Sequence, residues 1–68
     1  MKYLVVIEKA ESNYAACIPD LPGCIATGAT LSELRQNSSD ALAMHLEGLR
    51  EDGLPIPEPK TQAEFFET

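Results

Sequence analysis

Hydrophobic residues change their pattern once along this chain, falling in short continuous runs up to about residue 27 and recurring every three to four positions after residue 30. The opening run Tyr3-Leu4-Val5-Val6-Ile7 is apolar on both alternating sets, Tyr3/Val5/Ile7 and Leu4/Val6. Such a strand is covered on both faces, or by a helix on one face and a second subunit on the other. Glu11-Ser12-Asn13 interrupts with turn-forming residues. Tyr14-Ala15-Ala16-Cys17-Ile18 then reads as a second strand, so residues 3–18 are predicted to form a hairpin. The small alanines leave room for a close neighbour above them. Pro19 and Pro22 cannot donate to a ladder and stop the pairing. Leu21-Pro22-Gly23-Cys24 suits a type II turn, with Pro22 fixing φ at the second position and Gly23 accepting the positive φ at the third. Cys24 to Thr27 can return as a short third strand, and Gly28 frees the backbone to leave the sheet.

Past this point the pattern is helical. Thr30-Leu31-Ser32-Glu33 is a capping box, in which the Thr30 hydroxyl accepts from the Glu33 amide and the Glu33 carboxylate reaches back to the Thr30 amide. The helix is predicted from Leu31 to about Asp52, about 33 Å long. Leu31, Leu34, Ser38, Ala41, Leu42, His45 and Leu49 form the stripe expected to cover the sheet. Gly53 supplies a left-handed C-cap and Pro55 forbids continuation. Pro55, Pro57 and Pro59 alternate with Ile56 and Glu58, which favours an extended, polyproline-like exit. Thr61-Gln62-Ala63-Glu64 could cap one further turn with Phe65 and Phe66 as its apolar face. The expected fold class is α+β, a three-stranded antiparallel sheet in β-β-β-α order with one long helix on one face. Residues 1–59 make the domain and 60–68 a tail.

Length and charge narrow the picture. A 68-residue chain buries only about 60% of the surface its unfolded form exposes. Added burial is expected from oligomerisation, with an isologous homodimer as the commonest solution and a tetramer as the next. Cys17 and Cys24 are the two cysteines, and the apolar opening is far too short for a signal h-region or a membrane span. A cytoplasmic, reducing setting with free thiols is expected. Eleven acidic residues against five basic ones give a net charge of −6. The basic residues Lys2, Lys9, Arg35, Arg50 and Lys60 are scattered, which disfavours direct nucleic acid binding. A basic partner protein would be drawn in by the field.

Catalytic chemistry finds little support. His45 is the lone histidine and lies within the apolar stripe, where core or interface packing is the simpler role. Cys17, Cys24 and His45 offer three donors, but C-x6-C is not a zinc spacing. Ser32, Ser38 and Ser39 have no base or elbow motif around them, and the glycines build no phosphate-cradling loop. No catalytic residue, metal or cofactor is expected, and the chain reads as a non-enzyme. Gly48 lies mid-helix, either as a tolerated surface glycine or as a point of close contact with another chain. Glu33, Asp40, Glu47 and Glu51 recur at steps of seven, seven and four, so they share one helical face away from the stripe. That face is either simply solvated or an acidic ridge that meets a basic protein.

The ordered set Asp20-Leu21-Pro22-Gly23-Cys24, Gly28 and Thr30 entering a helix with Glu33, Asp40-Ala41-Leu42, Leu46-Glu47-Gly48-Leu49 and Gly53-Leu54-Pro55-Ile56-Pro57 resembles the HicB-like antitoxin family. The resemblance covers residue 2 to about residue 59. It implies a compact α+β fold described as partially RNase H-like, and a protein that binds and neutralises HicA toxins. These are small basic ribonucleases that cleave mRNA using a histidine. Inhibition would cover the toxin's RNA-binding and catalytic surface, and carboxylates suit a surface shaped for phosphates. Two other readings stand beside it: an oligomeric binding or scaffold module of the same fold without a toxin, and an RNase H-like nuclease. The nuclease requires several carboxylates converging on divalent metals, and strand carboxylates are scarce here. Family members commonly carry a further DNA-binding domain, for which residues 60–68 leave no room. Operator binding by this polypeptide alone is therefore not expected. Nor does Lys60–Phe66 read clearly as the additional strand of some relatives; docking of Phe65 and Phe66 on a neighbouring subunit is the alternative.

Overall fold

The structure, a computed structural model, describes residues 1–68. Three strands and one helix follow in the order β1 (Val6–Lys9), β2 (Tyr14–Cys17), β3 (Ile25–Gly28) and α1 (Leu31–Glu51). The sheet is antiparallel with spatial order β1-β2-β3, so the fold is the α+β arrangement expected from the sequence.

The first hairpin is displaced from the apolar run. Pairing begins at Val6 opposite Cys17 and continues to Lys9 opposite Tyr14, leaving Tyr3–Val5 as an unpaired lead-in. The reason is the tight loop: Ala10 N–H donates to the Asn13 carbonyl at 2.9 Å, which commits the residues just before it, polar or not, to the ladder. Lys9 is held there with its ammonium 5.9 Å from the centre of the Tyr14 ring. Tyr3 and Val5 are still partly buried against the core. The apolar run therefore reports burial, while the loop decides pairing. Within one chain Val6 and Ile7 of β1 are both exposed, so cover by the chain's own helix is not what makes them apolar.

Ile18, Leu21 and Cys24 form the buried cluster at the β2–β3 connection, and Ala41, Leu42, Leu46 and Leu49 of the helix pack on it. Leu34 is wholly buried one turn into the helix. Leu31 belongs to the predicted stripe but lies largely outside the core, and Leu46, absent from that stripe, packs within it. The helix lies over β3 and β2 and does not reach β1. Gly28 is the last residue of β3, and the chain leaves the sheet directly after it. A Cβ there would stand 2.6 Å from the Leu34 backbone nitrogen, so its role is to let helix and strand approach.

The turns form as the residues dictate. Cys24 N–H donates to the Leu21 carbonyl at 3.0 Å, and Gly23 takes a φ of +85°. The Thr30 hydroxyl accepts from the Glu33 amide at 3.1 Å, one arm of the predicted box, worth about 1 kcal/mol. At the other end Gly53 adopts a φ of +68°. Its amide donates to the Arg50 carbonyl and that of Leu54 to the Leu49 carbonyl, the paired bonds that close a helix C-terminus. No further helical turn forms after Thr61.

Candidate functional site

The long helix supplies the surface with the clearest charge. Glu33, Asp40, Glu47 and Glu51 are all exposed. At 100° per residue they fall within about 40° of one another, on the side opposite the core positions Leu34, Ala41 and Leu42. Eighteen residues separate the first from the last, a line about 27 Å long. Gln36 Nε2 donates to Asp40 Oδ1 at 3.1 Å, which leaves most of the ridge's acceptor capacity free. Glu33, in the first turn, also complements the positive end of the helix dipole. The four residues grouped from sequence are thus brought onto one face.

The residues singled out for structure occupy joints. Pro22 and Gly23 shape the β2–β3 connection, Gly28 the strand–helix contact, Thr30 the helix start and Gly53 its end. Pro57 gives its carbonyl to the Tyr3 hydroxyl, and Pro55 lies exposed in the extended exit. Asp20 has a role that no local pattern indicates. Its carboxylate accepts from the Thr61 hydroxyl at 2.7 Å and from the Lys60 and Thr61 amides at 3.0 and 3.1 Å. The Thr61 bonds hold the Asp20 carboxyl below the ordinary aspartate range. Because Thr61 donates to Asp20, its hydroxyl is not deployed as a helix cap, and the segment runs on without a helix.

The remaining candidates do not converge. His45 is half-buried beside Cys24, Ala41 and Met44. Burial raises the Cys24 thiol above its usual pKa, whereas Cys17 is exposed on the sheet. No three His, Cys, Asp or Glu side chains come together as a metal cluster would need. No helix is long and apolar enough to cross a membrane. A Cβ at Gly48 would meet nothing within 4 Å, so close packing within the chain does not explain that glycine.

An acidic helix laid across a small three-stranded antiparallel sheet is the fold, and its exposed carboxylates are the clearest surface feature. The profile of the HicB_like antitoxin of bacterial toxin–antitoxin systems matches residues 3–68. The chain belongs to that family. It is 35% identical over 66 residues to Antitoxin HicB 2 of Photorhabdus laumondii, covering 97% of this chain and 48% of that protein. A 14.9 kDa protein from the rep-hol intergenic region of Haemophilus phage HP1 is 42% identical over 57 residues, 84% of this chain and 43% of the phage protein. The chain thus spans about half the length of these two curated relatives. A UPF0150 protein of Archaeoglobus fulgidus is 40% identical over 48 residues, covering 69% of this chain and 70% of that one. Among solved structures, a chain of the HicA3 and HicB3 toxin–antitoxin complex superposes with a TM-score of 0.75 at 33% identity. The match covers 87% of this chain and 70% of that one.

Proposed function

We propose that this chain neutralises a small, basic, HicA-like RNA-cleaving toxin by occupying the surface with which the toxin holds RNA. The observation that carries the reading is the line of Glu33, Asp40, Glu47 and Glu51, exposed on one face of α1. A toxin that grips phosphates presents clustered cations, and a row of carboxylates on a rigid helix offers them a pre-arranged counter-surface. Membership of the antitoxin family and the likeness to a chain of a toxin–antitoxin complex support it. Inhibition of this kind is steric and electrostatic and asks for no catalysis by the antitoxin. The setting is the cytoplasm, where mRNA is available and Cys17 and Cys24 stay reduced.

The test is co-purification with a small basic HicA-like toxin, followed by an RNA cleavage assay. A stable complex with suppressed cleavage is expected. Asp40→Lys with Glu47→Lys should weaken it at least about tenfold, since close charge pairs at an interface couple by about 1.5 kcal/mol or more. A complex indifferent to the double reversal would remove the ridge as the contact. Absence of any complex would favour the oligomeric module without a toxin.

A further inference from the structure

Two apolar surfaces flank an open strand edge. β1 pairs only with β2, so its other edge presents unpaired backbone N–H and C=O groups. On the helix side, Val5, Ile7, Ile18, Leu34 and Leu42 line a groove of about 270 Å³ with Arg35 at its rim. The Ser38 hydroxyl oxygen in the same groove is buried without a hydrogen-bond partner. On the opposite face Val6, Cys17 and Ile25 stand directly across from one another in a row, and Ile25 is 70% exposed. Beyond the Asp20 anchor, the segment from Gln62 to Thr68 forms neither helix nor strand, with Phe65 99% and Phe66 83% exposed.

We propose that residues 62–68 of one copy add as a strand to the β1 edge of a second copy, reciprocally, forming a two-fold dimer by exchanged segments. Alternation along an added strand sends consecutive side chains to opposite faces. Phe65 and Phe66 therefore cover both surfaces at once, one ring in the groove and the other over Val6 and its row. A cavity of about 150 Å³ accepts benzene, so the groove has room for a ring. Seven extended residues reach about 23 Å, against about 13 Å for the four residues of β1. Glu64 shares a face with Phe66 and Glu67 with Phe65, so whichever ring enters the groove brings one carboxylate to the helix side of β1, where Arg35 at the groove rim and Lys9 two residues beyond Ile7 supply the cations. The acidic ridge points away from this side and stays free.

The areas fit a stable interface. A folded monomer of 7.4 kDa exposes about 4,200 Å², whereas this chain exposes 5429 Å². The excess, about 1,200 Å², compares with about 800 Å² per partner in a standard interface. Its radius of gyration is 13.2 Å, where a compact chain of this length gives about 11 Å. Each phenylalanine buries about 150–250 Å², so four rings with their receiving surfaces account for the bulk of a standard interface.

Sedimentation equilibrium of the full chain and of Phe65→Ala/Phe66→Ala provides the test. The expected result is a dimer that self-associates at least about a hundredfold more weakly once both rings are removed, with the far-UV circular dichroism unchanged. A mixture of isotope-labelled and unlabelled wild-type chains should show Overhauser contacts from the Phe rings of one copy to the Ile7 and Leu42 methyls of the other. A wild-type monomer, a dimer unaffected by the double substitution, or ring contacts confined to one chain would each overturn the proposal.

Discussion

Gly28 and Leu34 meet so closely that a single added carbon does not fit. A Cβ on Gly28 would lie 2.6 Å from the Leu34 nitrogen and 2.9 Å from its Cα. Both are backbone atoms near the start of the helix, so no side-chain rotation relieves the clash. Gly28→Ala must push α1 away from β3 and unseat Leu34, which is wholly buried. Overpacking of this kind costs about 1–3 kcal/mol. Thermal unfolding should show Tm lowered by about 4–8 °C for each kcal/mol lost. A variant as stable as the parent would mean that helix and strand can separate freely.

The anchor between Asp20 and the residues 40 and 41 positions later should be sensitive to acid. Hydrogen bonds from Thr61 and Lys60 favour the ionised carboxylate and lower its pKa in the folded protein. The stabilisation is therefore present above the unfolded value of about 3.9 and is lost as pH falls through the lower folded value. Amide exchange at Thr61, followed between pH 5 and pH 2 relative to an unstructured peptide, should lose its protection with a midpoint below about 3.9. Asp20→Asn should show weak protection of Thr61 at every pH. A titration midpoint above the ordinary aspartate value would contradict the geometry.

Local chemistry and long-range contact were not equally legible in the sequence. The type II turn at Leu21–Cys24, the Thr30 cap and the Gly53 terminus each depend on residues within five positions of one another, and they stand where the sequence puts them. The ridge followed from helical spacing alone. The start of β1 did not, because Tyr3 and Val5 are apolar for contact with the core rather than for pairing. Leu46 escaped the predicted stripe although it stands four residues after Leu42 and three before Leu49, at helical spacing from both, because the buried face is wider than the stripe drawn from Leu31. The contact of Asp20 with Thr61 has no local signature, since both residues also suit a turn or a cap in isolation.

Gly48 offers a stabilising substitution. It lies within α1, and a Cβ there would meet nothing within 4 Å. Glycine in a helix interior costs about 0.8–1.0 kcal/mol relative to alanine. Gly48→Ala should raise the unfolding free energy by about that amount in urea titrations, with an unchanged m-value. If the glycine serves contact with another chain, the same variant will gain stability alone and bind that partner less tightly.

The two thiols should separate cleanly in reactivity. Cys17 is exposed on the outer face of β2, while Cys24 is 4% exposed within the core cluster. Burial also raises the Cys24 pKa, so less of it is thiolate at any given pH, and the thiolate is the attacking species. A disulfide reagent at pH 8 should modify one thiol per chain rapidly. The second should follow at least about tenfold more slowly, limited by opening of the core. Cys17→Ser should abolish the fast phase and Cys24→Ser the slow one, while in denaturant both thiols should react together. Rapid modification of both in the native protein would show that the cluster of Ile18, Leu21 and Cys24 opens readily, and that the domain draws its stability from elsewhere.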